Sequence, residues 1–563
     1  MRFELLLLLI VCVSGFSAQK KDYPFYDTSL SVSQRVDDLV SRLTITEKIK
    51  QLGNHSPEIP RLGISSCNYW NEGCHGVLRS DATSFPHVIG LSATWDTLLI
   101  HAIATAISDE ARVLHSEGKV GLHFFTPTMN LGRDPRWGRN EETFGEDAFL
   151  TKKMAVNFIN GLQGNDSRYL KVAATAKHFV CNNSEKLRRK YSSQVDERSL
   201  REFYFPAFKA SVDAGVTSIM SAYNGLNGIP CSANKWLLKD VLREEWGFEG
   251  YVVSDCDALD FLTSEHRFTT NPTEAAAVAS KAGCDLECGP IYQQYLQLTL
   301  ANKIWNISEA TLDTALKRIF RSRILLGEFD PPEMVPYNNI PASLFNSAAH
   351  QELSLEAARK SIVLLKNDKS LLPLDTASIN SIALIGPFTN RCELGGYSGI
   401  PTEKITPLRG VLEYLGPRWK NGVFYTRGCD LTGAADPSDI DRAIVAAVKA
   451  DVAILFLGTG PANAREEYDL DFTSLPGGQQ DLVEAVFSAN PNTIVVFITG
   501  NPLPISWCKN HIPALVTAWY AGPYQGTAIA DVLFGNYNPG GKLTQTWVEN
   551  ENDLPPLEDY SLF

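Results

Sequence analysis

From about residue 53 to about residue 325, short apolar runs alternate with longer stretches of helical period. The runs include Leu122-His-Phe-Phe125, Val172-Ala-Ala-Thr175, Thr217-Ser-Ile-Met220 and Gly250-Tyr-Val-Val253, with helical patterns over 143–162, 197–214 and 272–283 between them. Runs this short and this apolar read as strands buried on both faces, as in a parallel sheet. Alternation sustained over roughly 300 residues predicts a TIM-like (β/α) barrel. An amphipathic pattern over 31–52, marked by Val36, Leu39, Val40, Leu43 and Ile49, precedes it as a further helix.

A cluster of Pro331, Pro332, Pro336, Asn338, Asn339 and Pro341 breaks helix and strand alike and reads as a linker. Beyond it lie four more continuous apolar runs, Ser381–Ile385, Val452–Phe456, Thr493–Phe497 and Ala514–Ala518. These predict a second parallel sheet covered by helices on both sides, an α/β sandwich. The expected organisation is a barrel over 24–327, a linker over 328–355 and a sandwich domain over 356–563.

Residues 1–18 carry one basic residue, a short apolar run and small residues ending at Ala18. This predicts a secretory signal peptide and an extracellular protein. The run is too short for a comfortable membrane span, so no membrane anchor is expected. Four Asn-x-Ser/Thr sequons, at Asn54, Asn165, Asn182 and Asn306, fit secretion. Asn182 lies inside a candidate site region and is not expected to carry a glycan. Ten cysteines follow Cys12; Cys67 with Cys74 and Cys284 with Cys288 are plausible local disulfides. The spacing does not favour zinc. The net charge of −13 argues against nucleic acid and suits an uncharged ligand.

Candidate chemistry begins at Tyr251-Val-Val-Ser-Asp255, where an apolar run ends in a carboxylate. The C-terminal ends of barrel strands are where such folds place chemistry. Asp257 is the neighbouring rival, better placed to cap the following helix. Lys177-His178 ends another run, Arg188 follows with Arg189 beside it, and Gly132–Asp147 holds Arg133, Asp134, Arg136 and Arg139. That last run reads equally well as a structural loop of internal ion pairs.

These stretches resemble family 3 glycoside hydrolases. The resemblance rests on Asn71-Glu-Gly-Cys-His-Gly76, the 133–147 run, Ala176-Lys-His-Phe179, Ser221-Ala-Tyr-Asn-Gly225 and Val253-Ser-Asp-Cys-Asp-Ala258. It continues through Ala383–Pro387 and Asp531–Lys542, in the family's order from about residue 24 onward. The β-xylosidase-like subgroup is most similar, at Asn71–Gly76, Ser254–Asp257 and Gly395-Gly-Tyr-Ser-Gly399.

The resemblance implies a secreted exo-β-glycosidase that cleaves with retention, using two carboxyl groups and no cofactor or metal. Its substrate would be an oligosaccharide or glycoside. Asp255 is then the nucleophile, Lys177 and His178 bind sugar hydroxyls, Arg139 falls near the sugar, and Lys177 with Arg188, or Arg189 in its place, donates to hydroxyls and holds Asp255 anionic. Tyr223 falls at the barrel mouth. Glu72 matches a position where xyloside-cleaving members tend to carry Glu and glucoside-cleaving members Asp. The extra methylene would fill the space of a hexose CH2OH, which implies a terminal β-D-xylosyl substrate.

The acid/base is expected from the second domain, in Ala464-Arg-Glu466-Glu467-Tyr-Asp469. Anchoring on Leu475-Pro-Gly places it at Glu466, with Glu467 the alternative. Ala464 and Leu470 depart from the family's usual acidic residue and Arg. A working acid needs a raised pKa. β-Glucosidase and α-L-arabinofuranosidase are sister activities, and the stretch from Lys177 to Arg189 is the more glucosidase-like half. A catalytically inactive carbohydrate-binding relative is the reading from another class. Family members usually continue beyond residue 563, so the sandwich domain is expected to be shortened, with an unpaired sheet edge. The oligomeric state is not legible.

Overall fold

The computed structural model describes residues 23–562. The signal-peptide reading lies outside the described residues. The N-terminal half is a TIM-like barrel. Its regular parallel ladder runs in the order His123–Phe124, Ala173–Phe179, Ser218–Ser221 and Tyr251–Ser254. Every residue of these strands is buried, which is why their sequences lack alternation. Residues 285–287 lie beside the last strand through the Val253–Leu286 bridge. The ring continues as Asn54 N donates to Glu287 O at 2.8 Å, Tyr69 N to Asn54 O at 2.9 Å and Phe125 N to Asn71 O at 2.8 Å. A local departure is the antiparallel pairing of His55–Ser56 with Cys67–Asn68.

Helical expectations hold with three local differences. The single helix expected over 31–52 is two, Val32–Ser41 and Ile45–Lys50. Thr44 restarts the chain with a capping box: its hydroxyl accepts from Glu47 N, and Glu47 accepts from Thr44 N. The helix expected from 143 begins at Ala148, capped by Asp147, leaving residues 143–147 free to meet the second domain. Over 197–214, a π-helical turn at Leu200–Tyr204 precedes Pro206–Asp213. Pro206 has no N–H to extend the preceding helix, so the ladder is interrupted there.

The second half carries a six-stranded sheet in the order Val363–Asn367, Ala514–Thr517, Thr493–Ile498, Val452–Gly458, Ile382–Ile385 and Val423–Thr426. Only the first pairing is antiparallel. Alternate residues of one strand feed opposite layers. Ile382 and Leu384 pack with Val411 and Ile529 on one face, and Ala383 and Ile385 with Ala443 and Leu482 on the other. Burying one such aliphatic side chain is worth about 1.5–3 kcal/mol, so both layers hold the sheet. No helix among the described residues is long and apolar enough to cross a membrane.

The disulfide expectation is corrected. The bond joins Cys256 to Cys288, while Cys67, Cys74 and Cys284 are free thiols. Residues 286–288 run parallel to 253–256, so the chain ends of two neighbouring barrel segments bring these cysteines together. Cys67 and Cys74 sit in different surroundings. Cys67 lies in the fields of Arg323 and Glu328, whereas Cys74 lies in those of Glu72 and Lys177. Of the sequons, Asn182 is buried, while Asn165 and Asn306 are exposed.

Candidate active site

Asp255 stands at the C-terminal end of the strand Tyr251–Ser254, 7 % exposed. Its Oδ1 accepts from the Cys256 N–H at 2.9 Å. Its Oδ2 is buried without a hydrogen-bond partner. An orphaned carboxylate oxygen is costly to bury, and its presence at a strand end marks a group kept for a ligand. His178 Nε2 stands 3.9 Å away, outside hydrogen-bond reach. Asn130 fixes the imidazole, with its Oδ1 3.0 Å from His178 Nδ1 and 2.8 Å from His178 N. Asp257 is exposed, occupies the helix N-cap position in left-handed conformation, and makes no side-chain cap bond. It is therefore neither a second site carboxylate nor the working cap that its sequence position suggests.

Around Asp255 the barrel gathers a cage of charge. Lys177 Nζ lies 3.2 and 3.3 Å from the two Glu72 oxygens. Arg139 pairs with Glu142 at 2.6 and 2.8 Å. Arg188 pairs with Glu185 at 2.8 Å, and its guanidinium lies 4.7 Å over the Tyr223 ring. Arg189 turns away and pairs with Glu467, so Arg188 alone of the two faces the site. Elsewhere in the 133–147 run, Arg136 binds Asp134 and Pro555 O, and Arg133 binds carbonyls of the C-terminal segment. Those two residues serve structure.

The second domain reaches over this face through two loops. In the 464–470 loop, Glu466 turns inward and Glu467 outward, with side chains 31 % and 58 % exposed. Glu466 Oε1 accepts from Arg188 at 2.9 Å and Arg139 at 3.3 Å; Oε2 accepts from the Tyr397 hydroxyl at 2.5 Å. Asp469 anchors the loop by accepting from the backbone N–H groups of Gly138, Glu185 and Lys186. Gly138 is required there, since a Cβ would fall 2.2 Å from Tyr468 O. The other loop is Gly395–Gly399, which delivers Tyr397. Its ring lies under Lys177 Nζ at 4.9 Å.

The charge balance differs from the sequence-based expectation. Burial raises Asp255 to about 6, against the lowering pull of Arg188 and Arg139, and the Glu466 charge raises it further. Burial also raises Glu72, to about 7, opposed by Lys177. Glu466 moves the other way. Burial would raise it, but Arg139, Arg188 and the Tyr397 hydroxyl together hold it well below the usual range. Between these two carboxyls the proton therefore prefers Asp255, the reverse of what a nucleophile and an acid need. His178 stays neutral, since burial and then the Arg139 and Lys177 charges depress it well below the usual range.

Sequence reasoning left Tyr397, Glu142, Glu185 and Asp469 without site roles. Tyr397 had a readable signal, an aromatic hydroxyl between glycines in a motif already singled out. Glu142 and Glu185 each stand three residues from an arginine already singled out, a spacing that could have found them, whereas the anchoring by Asp469 shows only in contacts between distant segments.

The model of the glycosyl hydrolase family 3 N terminal domain matches residues 38–322, and that of the C-terminal domain matches 362–562. The chain belongs to glycoside hydrolase family 3. It is 39% identical to the probable β-D-xylosidase 7 of Arabidopsis thaliana, over 96% of this chain and 75% of that one. It is 38% identical to the β-xylosidase/α-L-arabinofuranosidase 1 of Medicago sativa subsp. varia, over 96% and 72%. A family 3 exo-β-xylosidase solved with a xylobiose aziridine activity-based probe superposes with a TM-score of 0.89 at 33% identity, over 95% of this chain and 71% of that one. A β-glucosidase from Erythrobacter marinus gives 0.85 at 29% identity, over 95% and 80%. The family 3 chain is thus a glycoside hydrolase with relatives of both β-xylosidase and β-glucosidase type.

Proposed function

We propose that the chain is a secreted, retaining exo-β-glycosidase acting on terminal β-D-xylosyl residues. The observation that carries this is the unpartnered Oδ2 of Asp255 facing a second carboxyl, Glu466, brought from the other domain. In the first step Asp255 attacks the anomeric carbon and Glu466 protonates the departing oxygen. In the second, Glu466 takes a proton from water, which displaces Asp255. Lys177, Arg188 and Arg139 are positioned to donate to sugar hydroxyls. A glycoside that draws Arg188 and Arg139 onto its hydroxyls would loosen their hold on Glu466, and excluding water would raise the Glu466 pKa toward that of a working acid.

Glu72 supports the pentoside preference. It is buried beside Lys177, where its added methylene, relative to Asp, takes up space. The names of the similar Arabidopsis and Medicago proteins favour the same sugar, and α-L-arabinofuranoside is the second substrate in line. The test is turnover of aryl β-D-xyloside against aryl β-D-glucoside, with Asp255→Ala as control and the product anomer read by NMR. Faster xyloside turnover with a retained anomer supports the reading. Faster glucoside turnover removes the pentoside assignment; an inverted product removes the mechanism. Secretion is read separately, by finding the processed chain in the medium of expressing cells.

A further inference from the structure

The barrel buries three polar side chains that touch neither Asp255 nor the sugar-facing cage. His75 and His87 lie with ring centroids 4.3 Å apart, and Glu141 lies beside them. All three close on one peptide of the second domain. His75 Nε2 is 3.1 Å and His87 Nε2 3.0 Å from the Gly396 carbonyl oxygen, and the Gly396 N–H donates to Glu141 Oε1 at 2.8 Å. Both polar atoms of Gly396 are thus committed to the other half of the molecule.

The next residue is Tyr397. Its backbone is left-handed at φ 53°, as is that of Gly395 at φ 80°. A Cβ on Gly395 would fall 2.5 Å from His87 Cδ2 and 2.7 Å from Glu141 Oε2. The loop therefore fits only as glycines against this cradle. The Tyr397 ring is held under Lys177, and its hydroxyl reaches the Glu466 oxygen that the arginines leave open.

We propose that His75, His87 and Glu141 grip the Gly396 peptide and so make Tyr397 a positioning residue for Glu466 in proton transfer to the leaving group. Arg139 and Arg188 fix Oε1 from the barrel side. Tyr397 fixes Oε2 from the second domain, so the carboxyl plane is set by both halves. Other groups in the surrounding field include Glu72 and Glu142, which act on Tyr397, and Asp255, Tyr223 and Glu467. The same cradle brings Cys74, His75 and His87 ligand atoms within 4.8 Å of one another. A metal is not invoked: the Nε2 atoms are already set against Gly396, and burial pushes the Cys74 thiol well up, away from the thiolate.

The inference rests on the reading of Glu466 as acid/base, and its test separates the two. kcat/KM is measured for Tyr397→Phe, His87→Gln and the double variant. Two glycosides of whichever sugar the enzyme prefers are used, one with a 2,4-dinitrophenolate leaving group and one with a simple alcohol. The dinitrophenolate departs without a proton; the alcohol does not. Each single variant should lose roughly 10- to 100-fold on the alcohol glycoside and no more than a few-fold on the dinitrophenyl one. The double variant should lose no more than the worse single, because the histidine acts through the tyrosine. Equal losses on both substrates for Tyr397→Phe, or losses that multiply in the double variant, would overturn the inference. If His87→Gln does not fold, His75→Asn replaces it, and Tyr397→Phe decides its own half regardless. Glu466→Gln is run alongside. Leaving-group discrimination there but not in Tyr397→Phe sinks only this inference; none in Glu466→Gln sinks the acid assignment itself.

Discussion

The two halves of the molecule build the site by different means. The barrel places Asp255, Lys177 and His178 at or beside the ends of strands whose every residue is buried, so packing on all sides fixes them. The second domain places Glu466 and Tyr397 on loops, held mainly by hydrogen bonds to the barrel: Asp469 on the loop near Gly138, Asn501 Nδ2 on Pro135 O and Trp137 O, and the Gly396 cradle. The side of the proposed nucleophile is therefore set by one domain's core. The acid side exists only when the domains are docked. On the proposed mechanism, the docking contacts bear directly on proton transfer and reach Asp255 only through the Glu466 charge.

The largest break would come from the barrel side. Asp255→Ala should lower kcat by about four to six orders of magnitude on every substrate, as for removal of an attacking nucleophile. Single-turnover rates check it. Next, Glu466→Gln should cost roughly 10²- to 10⁴-fold in kcat/KM on alcohol glycosides and little in kcat/KM on dinitrophenyl ones, whose kcat should still fall because the second step needs the same carboxylate as base. It should also simplify the pH profile. Of the two reacting carboxyls only Asp255 would then remain, and it must be ionised to attack, so kcat/KM on dinitrophenyl glycosides should rise with pH through an Asp255 limb that lies below the Glu72 titration at about 7. Losing the Glu466 charge removes one cause of the raised Asp255 pKa, so the midpoint should fall below about 6. A midpoint at or above that value would contradict the electrostatic coupling between the halves.

Smaller effects should follow at the docking contacts. Gly395→Ala forces a Cβ into His87 and Glu141 in a left-handed backbone; a cost of about 1–3 kcal/mol is expected, read by denaturant unfolding. Asp469→Asn removes the charge that three backbone donors share. It should weaken those bonds by about 1–2 kcal/mol and lower kcat on alcohol glycosides more than on dinitrophenyl ones. The smallest change should be in selectivity. Glu72→Asp should move the xyloside-to-glucoside ratio of kcat/KM by about 10-fold toward glucoside, since one methylene is worth about 1–3 kcal/mol. Equal sensitivity of both substrate types to the docking variants would erase the proposed division of labour.

Much of this was legible before any coordinates. Continuous apolar runs such as Val452–Phe456 fall on buried parallel strands because full burial removes the need for polar alternation. Asp255 was readable because a polar residue ending such a run sits at a strand terminus; Lys177 likewise follows an apolar run, two residues before the end of its strand. Helix breaks were less legible: Thr44 and Pro206 act through capping and a missing N–H, local effects that periodicity does not register. The Cys256–Cys288 bond was not legible, because it depends on which barrel segments are neighbours.

The sequence by itself determined the layer architecture, the family and the strand-end residues, since each follows from patterns within a few residues of chain. Only the tertiary structure decided that Glu466 faces inward and Glu467 outward, that Arg188 rather than Arg189 enters the site, and that Tyr397 closes on the acid. The physical reason is separation. Those choices depend on charges and hydrogen-bond donors tens to hundreds of residues apart, which become partners only once the second domain is docked on the barrel.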